Sequence, residues 1–240
     1  MSHAFKVLDL YCCEGGAGYG YHLAGAHVVG VDLNPQPRYP FEFRQQSVLY
    51  VTLKYLRRFD LIHASPPCQF GSELQRSNKW RKEHLNLIPE TRAMLQASGV
   101  PYVIENVRAV REHLVDPVSL FGSMFDNHMV TSTGQRFDLS RERLFETNWG
   151  LQAPADPGIR FPIANVFGAH LRNRSAAHGG RKTRDFVGED KPDLAKQLMG
   201  MPWATMAGMS EAVPPSYTRY IGEQFLATRA PAAEFDELFA

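Results

Sequence analysis

Cys68 stands directly behind two prolines, in Ser65-Pro66-Pro67-Cys68-Gln69, after the apolar run Asp60-Leu61-Ile62-His63-Ala64. Proline fixes φ and stiffens the approach, so a thiol placed here is held at the end of a strand. Most free cysteines are small core hydrophobes. A rigid polar turn is a poor place to bury one, and a thiol presented there can act as a nucleophile once it is a thiolate. Glu105 closes a second apolar run, Tyr102-Val103-Ile104-Glu105-Asn106, at the same edge of the sheet that these runs imply. Desolvation beside an apolar strand raises a carboxyl pKa and suits it to donating a proton. Arg141 and Arg143 alternate at strand period in Leu139-Ser140-Arg141-Glu142-Arg143-Leu144-Phe145, which puts both on one face. Read alone, that pair is more often an edge-strand ion pair involving Glu142 than a catalytic device.

A third constellation lies near the start. Asp9 to Gly20 contains Cys12-Cys13-Glu14-Gly15-Gly16-Ala17-Gly18, a glycine cluster following an apolar run. In an open α/β sheet that turn is where nucleotide-like ligands bind, because glycine lets backbone approach the ligand. The spacing is not GxGxxG, and no Lys-Ser/Thr ending marks a P-loop. By itself the cluster is an ordinary tight turn. Asp32, about seventeen residues further on at the end of a second apolar run, is placed to hydrogen-bond ribose hydroxyls and tips the balance toward a ribose-bearing cofactor.

These groups need elements to hold them. Lys6–Tyr11, His27–Leu33, Phe59–Ala64 and Tyr102–Val107 read as strands. Helical spacing appears through Tyr21–Ala24 up to Gly25, over Val48–Arg58, and from Pro89 to Ala97 with Gly99 as its stop. Strands separated by helices predict a parallel sheet covered on both faces. Ala153-Pro154-Ala155-Asp156-Pro157-Gly158 reads as a linker, and the Arg-, His-, Asn- and Gly-rich stretch from Phe167 to Asp185 follows it. Residues 136–184 hold nine Lys/Arg against four Asp/Glu, whereas 211–240 hold two Arg against five Asp/Glu, so a formal net charge of +1 hides a basic segment. On charge alone that segment is a solvated loop. Arg76, Lys79, Trp80, Arg81 and Lys82 form a second basic stretch within the polar segment 69–86, suited to closing over a nucleic acid.

The 240-residue chain is long enough for a substantial core. Its 44% hydrophobic and 21% charged residues exclude a disordered chain or a coiled coil. The near-balance of charge excludes a wholesale polycation. Three cysteines, two of them adjacent, form neither a disulfide framework nor a zinc CxxC pair. No apolar run approaches a membrane span and Met1–Phe5 lacks a secretory layout, so a soluble, cytosolic chain is expected. Nineteen of the 26 basic residues are Arg, the better residue for bidentate contacts to phosphate and guanine.

Taken together and in order, the glycine cluster, Asp32, Pro67-Cys68-Gln69, Glu105-Asn106-Val107, Arg141-x-Arg143 and Tyr220-Ile221-Gly222 resemble the DNA cytosine-5 methyltransferase family. The resemblance spans residues 7–145 and about 196–226, in a length like that of short phage-encoded members. The intervals of 37 and 36 residues between Cys68, Glu105 and Arg141 make the conjunction specific where no single motif is. Cys13 stands where that family usually has glycine, Ser47 where an aspartate commonly meets the adenine, Leu139 where a glutamine is usual, and Glu223 where the last motif has asparagine.

The resemblance implies an α/β fold, a Rossmann-like class I S-adenosylmethionine-dependent methyltransferase sheet with a small target-recognition insert. Residues 1–150 and 196–240 would form the catalytic domain and 151–195 the insert. It implies S-adenosylmethionine as cofactor, S-adenosylhomocysteine as product, no metal, and double-stranded DNA as partner of a monomer with no obligate protein partner. Cofactor contacts fall on Tyr11, Cys12, Glu14, Gly15, Gly16, Asp32, Leu33, Ser47, Val48 and Glu223. Catalysis falls on Cys68 adding to C6 of cytosine, Glu105 at N3, and Arg141 and Arg143 at O2, the nearby phosphate and the thiolate. The base must be flipped out of the duplex. DNA contacts fall on Gln69, Arg76, Lys79, Arg81 and Lys82, and in the insert on Arg172, Asn173, Arg174, His178, Arg181, Lys182 and Arg184. So small an insert predicts a recognition site of about two or three base pairs. Rival readings are the same chemistry on RNA, whose branch carries a Cys-Phe-Thr tripeptide absent here; an amino-group methyltransferase, for which Cys68 occupies the aromatic place in Ser-Pro-Pro-Tyr; and a catalytically silent DNA-binding relative.

Overall fold

The computed structural model describes residues 4–67, 85–173 and 185–229. Strands β1 (Phe5–Leu10), β2 (Ala26–Asp32), β3 (Glu42–Gln45), β4 (Leu61–Ala64), β5 (Tyr102–Asn106), β6 (Val118–Leu120) and β9 (Arg143–Thr147) build a seven-stranded sheet in the order β3-β2-β1-β4-β5-β9-β6. The first five strands in that order run parallel, and β9 enters antiparallel between β5 and β6. The strand order turns back at β1, beside β4, and the crevice above that point is where open α/β sheets take ligands.

Both faces of the sheet are covered, which is why β1, β4 and β5 are apolar almost without alternation. On one face Val7, Leu61 and Val103 pack beneath Tyr21 of helix α1 (Gly16–Leu23) and Tyr217, Ile221 and Phe225 of the C-terminal helix (Pro215–Arg229). On the other, Leu8, Ile62 and Ile104 meet Leu95 from the helix over Ile88–Ser98. That helix begins with Pro89 in its first turn and ends at Gly99, whose φ of 71° is the left-handed cap expected of it. Arg92 on the same helix makes a bidentate pair with buried Glu146 of β9, at 2.7 and 2.6 Å, tying helix to sheet.

The segment 48–58 departs from its helical spacing. Val48–Tyr50 is one 3-10 turn and only Leu53–Leu56 is α-helical (α2), with Thr52 as N-cap. Val51 and Thr52 adopt extended backbone between them, where Thr52 must be non-helical to cap. Helices α3 (Ile88–Ser98), α4 (Lys191–Met199), α5 (Met206–Glu211) and α6 (Pro215–Arg229) complete the chain order among the described residues.

A second sheet of four strands has the order β11-β10-β8-β7, from β7 (His128–Val130), β8 (Arg136–Leu139), β10 (Ile163–Phe167) and β11 (His170–Arg172). Its apolar side packs on α4, around Met129, Phe137, Val166 and Leu198. Two of its strands precede residue 150 and two follow it, so the expected boundary at 150 does not separate the sheets. The run Leu139–Phe145 is likewise not one strand: β8 ends at Leu139 in the small sheet and β9 starts at Arg143 in the large one. Strand periodicity carries through the connection because both ends are buried, although the chain changes sheet at 140–142. No helix among the described residues is long and apolar enough to cross a membrane.

Candidate active site

A cavity of about 430 Å³ opens at the carboxyl ends of β1, β2, β4 and β5. Tyr11, Cys12, Gly16, Asp32, Leu33, Ser47 and Val48 line it, seven of the cofactor contacts expected from the sequence. Asp32 is buried at the end of β2, and its carboxylate accepts from the backbone N–H of Asn34 at 2.9 Å and of Cys13 at 3.1 Å. Those two bonds fix its orientation toward the cavity and keep it supplied with donors.

Three expected contacts lie elsewhere. Glu14 turns away: its carboxylate accepts from the backbone N–H and the hydroxyl of Thr205, each at 2.7 Å, while Thr205 caps α5. Gly15 packs against Tyr39 and Pro40, and its φ of 86° is the left-handed backbone a side chain would strain. Glu223 sits half-exposed on α6, paired with Arg219 one helical turn back at 2.8 Å. Glu223 does not line the cavity, and Gly222 before it packs against Tyr21 and Ala24. Two of the four glycines in the cluster also serve helix packing. A Cβ at Gly16 would collide with the carbonyl of Val213, and one at Gly20 with Pro215 and Thr218, so these positions let α1 press against α6 and the segment before it.

Glu105 lies at the other end of the cavity, buried at the tip of β5. Arg143 Nε stands 3.1 Å from its Oε1, and Ser65 hydrogen-bonds to the same carboxyl. Burial pushes the Glu105 pKa up, and Arg143, Ser65 and Arg141 oppose this without overcoming it. Beside it, Pro66 and Pro67 form part of the wall. Asn106 Nδ2 donates to the Pro66 carbonyl at 2.8 Å, while its Oδ1 accepts from the Val107 N–H at 2.9 Å. One buried amide thus locks the diproline turn to the end of β5, next to the carboxyl. Cys68, the next residue, lies outside the described residues, as do Gln69, Arg76, Lys79, Arg81, Lys82, Arg174, His178, Arg181, Lys182 and Arg184.

Arg141 does not join Arg143 at the cavity. Its guanidinium donates to the carbonyls of Val166 at 2.7 Å, Ser210 at 2.7 Å and Ala212 at 2.8 Å, and the Tyr217 hydroxyl donates to the Arg141 carbonyl at 2.6 Å. It is a strut joining the small sheet, α6 and the segment 209–212, in place of the expected contact with a base. Two residues apart on one strand would have shared a face; the change of sheet at 140–142 sends them to different partners. Of the expected DNA contacts, Arg172 stacks on Phe167 at 5.6 Å, and Asn173 lines a shallow recess of the small sheet.

Sequence reasoning missed Asp9, Cys13, Ser65, Asn106 and the wall formed by Ser210–Val213. Asp9, Ser65 and Asn106 adjoin motif residues and were within reach of the same edge-of-strand logic. The 210–213 wall carries no local signal, because it arrives by chain return. Asp9 is fully buried, accepts from the Tyr39 hydroxyl at 3.1 Å, and has its pKa pushed up to about 8 by that burial. Burial also pushes both Cys12 and Cys13 upward, so neither of the two described thiols is a thiolate at neutral pH.

No family model matches the sequence, and no curated protein matches it. Solved structures do. A mutant form of DNMT2 from Spodoptera frugiperda superposes with a TM-score of 0.60 at 14% identity, over 94% of this chain and 100% of that one. The S. pombe Dnmt2 methyltransferase gives 0.58 at 14% identity, over 95% and 99% of the two chains. A putative DNA modification methyltransferase encoded within a prophage of E. coli gives 0.53 at 12% identity, over 94% and 99%. The fold is therefore the Rossmann-like one of class I methyltransferases, as the strand order with its antiparallel β9 requires. At these identities it is the fold that is shared.

Proposed function

We propose that the protein methylates C5 of cytosine in double-stranded DNA, with S-adenosylmethionine as cofactor and Cys68 as nucleophile. The observation that carries this reading is the buried Glu105–Arg143 pair set against the Asn106-locked diproline turn, within one cavity that has Asp32 at its other end. Cofactor fit rests on the donor set. Asp32 offers a pre-oriented carboxylate for ribose hydroxyls, Tyr11, Leu33, Val48 and Leu49 offer apolar surface, and Glu211 adds an acidic side chain to the wall, where a cationic sulfonium would be welcome. When bound, the cofactor supplies an electrophilic methyl group.

The chain's own residues supply the rest. Cytosine C5 is too poor a nucleophile to take a methyl group unaided. Addition of the Cys68 thiolate at C6 forms a C–S bond and shifts the ring's π electrons toward C5 and N3. Glu105, whose pKa is raised by burial, would in its protonated form give its proton to N3 as that charge builds, and become a carboxylate beside Arg143. Arg143, 3.1 Å from that carboxyl, would neutralise it and meet O2 of the base. Once C5 is methylated, loss of its proton to water and elimination of the thiolate would restore aromaticity, and N3 would return its proton to Glu105. A base stacked in a duplex cannot reach this cavity, so the nucleotide must be flipped out. The small sheet, carrying Arg172 and Asn173 into the basic segment, would read a short site of about two or three base pairs.

DNA containing 5-fluorocytosine tests the reading, because fluorine at C5 cannot leave as a proton and traps the adduct. The wild-type protein should form a covalent complex in the presence of cofactor, and Cys68→Ser should form none. An adduct with RNA alone would replace DNA as the substrate. No adduct with either would overturn the proposed chemistry.

A further inference from the structure

Behind Glu105 runs a chain of polar side chains that the chemistry above does not use. His63 is fully buried in β4, and its Nδ1 lies 3.0 Å from the Tyr21 hydroxyl on α1. Its Nε2 lies 3.0 Å from the Ser65 hydroxyl, and Ser65 bonds to the Glu105 carboxyl. Tyr21 is itself fully buried, so the chain ends inside the protein and does not lead to solvent. A polar chain sealed in this way conducts no protons outward, but each member can turn its hydrogen around.

The hydrogens have two self-consistent arrangements. With Glu105 ionised, Ser65 must donate to it. His63 Nε2–H then donates to Ser65, and the Tyr21 hydroxyl donates to Nδ1. With Glu105 protonated, the carboxyl donates to Ser65, Ser65 donates to Nε2, and Nδ1–H donates to Tyr21. Both arrangements give every oxygen and nitrogen of the chain a partner. With Glu105 ionised every hydrogen is also used. With Glu105 protonated the Tyr21 O–H has no acceptor along the chain, which tilts the chain toward the ionised form. The exchange requires a neutral ring, and burial supplies one by pushing the His63 pKa down to about 3. The ionisable groups facing this chain are Asp9 on β1, opposite His63 in register, Tyr21 on α1, Glu105 on β5, and Arg143 at the start of β9, with Arg141 beyond it. Apart from Glu105, each keeps one charge state at neutral pH in the arrangement described: Asp9 protonated, Tyr21 neutral, and the arginines cationic.

We propose that His63 is a positioning residue that, acting through Ser65, holds the Glu105 carboxyl in place and reverses its own tautomer each time Glu105 loses or regains a proton. This rests on the reading of Glu105 as the group that serves N3. The hydrogen-bond reversal itself can be seen without turnover.

The test begins on the wild-type chain with 15N-labelled histidine, the His63 signal being assigned by its absence in His63→Gln. Across the pH range in which Glu105 titrates, the His63 ring should stay neutral and pass from the Nδ1–H to the Nε2–H tautomer as pH rises. In Glu105→Ala the change should vanish. A ring that keeps one tautomer throughout, or becomes cationic, overturns the proposal whatever the activity. Kinetics supply the second arm. In His63→Leu the single-turnover rate of methyl transfer should fall by about tenfold or more, with cofactor affinity unchanged, and His63→Gln, which can still donate to Ser65, should recover part of it. Ser65→Ala should cost a similar factor, and the double variant no more than either single one, because the residues act in series. Multiplicative losses, or a His63→Leu rate within about twofold of wild type, would overturn it. Absence of any 5-fluorocytosine adduct in the wild type would instead sink the cytosine reading, leaving the tautomer measurement to judge the chain.

Discussion

Replacing Arg141 with methionine keeps most of the side chain's length and removes its guanidinium. That group donates to Val166 O at 2.7 Å, Ser210 O at 2.7 Å, Ala212 O at 2.8 and 3.1 Å, and Met209 O at 3.3 Å. Hydrogen bonds from a charged donor contribute about 1.5–3 kcal/mol each. They share one donor group and cannot be summed, and part of the loss is returned because a buried cation no longer needs solvating. A loss of about 4 kcal/mol is expected, near the top of the range for a single substitution. For a chain of this length that lowers the thermal midpoint by roughly 8–16 °C. Urea denaturation gives the stability, and calorimetric titration with S-adenosylhomocysteine reads the cavity, whose wall includes Ser210 and Ala212. Affinity should fall with stability. Arg141→Lys should recover less than half of either, since an ammonium lacks the fork that reaches several carbonyls. A methionine variant within about 1 kcal/mol of wild type, binding the cofactor normally yet unable to transfer methyl, would refute the strut and return Arg141 to the base.

Two further outcomes follow from groups at the cavity. Asp9 carries a folded-state pKa near 8, well above its unfolded value, so the native state holds a proton that the unfolded chain releases. Its contribution is present below about pH 4 and is lost as pH rises toward 8, at up to about 1.4 kcal/mol per pH unit. Asp9→Asn should remove that decline, visible as a widening stability advantage between pH 5 and 8; parallel curves would show that Asp9 is ionised in the native state. Asn106→Ala leaves the Pro66 carbonyl without its 2.8 Å donor and should cost about 1–2 kcal/mol of stability. Its larger effect, about tenfold to a hundredfold, should fall on the rate of adduct formation with 5-fluorocytosine DNA, through misplacement of the turn that carries Cys68.

Much of the large sheet was legible because its strands are buried on both sides and punctuated by glycine and proline. The apolar runs at 6–11, 27–33, 59–64 and 102–107 all became strands, within a residue or two. The strand-edge argument brought Asp32 and Glu105 into one cavity for the same reason: parallel strands align their carboxyl ends, so residues far apart in sequence meet. Where the reading went astray, long-range packing outweighed local pattern. Apolar spacing over 48–58 came from residues buried against neighbouring elements along an interrupted turn, not from one helix. Arg141 and Arg143 look equivalent by alternation, yet one belongs to the crossing between sheets. Glu14 and Glu223 sit in motif positions but were claimed by Thr205 and Arg219. Glycines at 16 and 20 signal close approach correctly; what approaches is another stretch of backbone. His63 and Tyr21 offered no pattern, since a polar pair inside a core is visible only once the elements are packed.

The wall at Ser210–Val213 has an implication for biosynthesis. Asp9, Asp32 and Glu105 are all made in the first half of the chain, but the surface that encloses the space between them is made more than a hundred residues after Glu105. During translation the sheet can therefore assemble while its ligand crevice is still open on one side, and α1 cannot find its partner until α6 leaves the ribosome. Retention of nucleotide-like molecules by the nascent polypeptide should thus begin only late in synthesis, after the acidic groups are already in place.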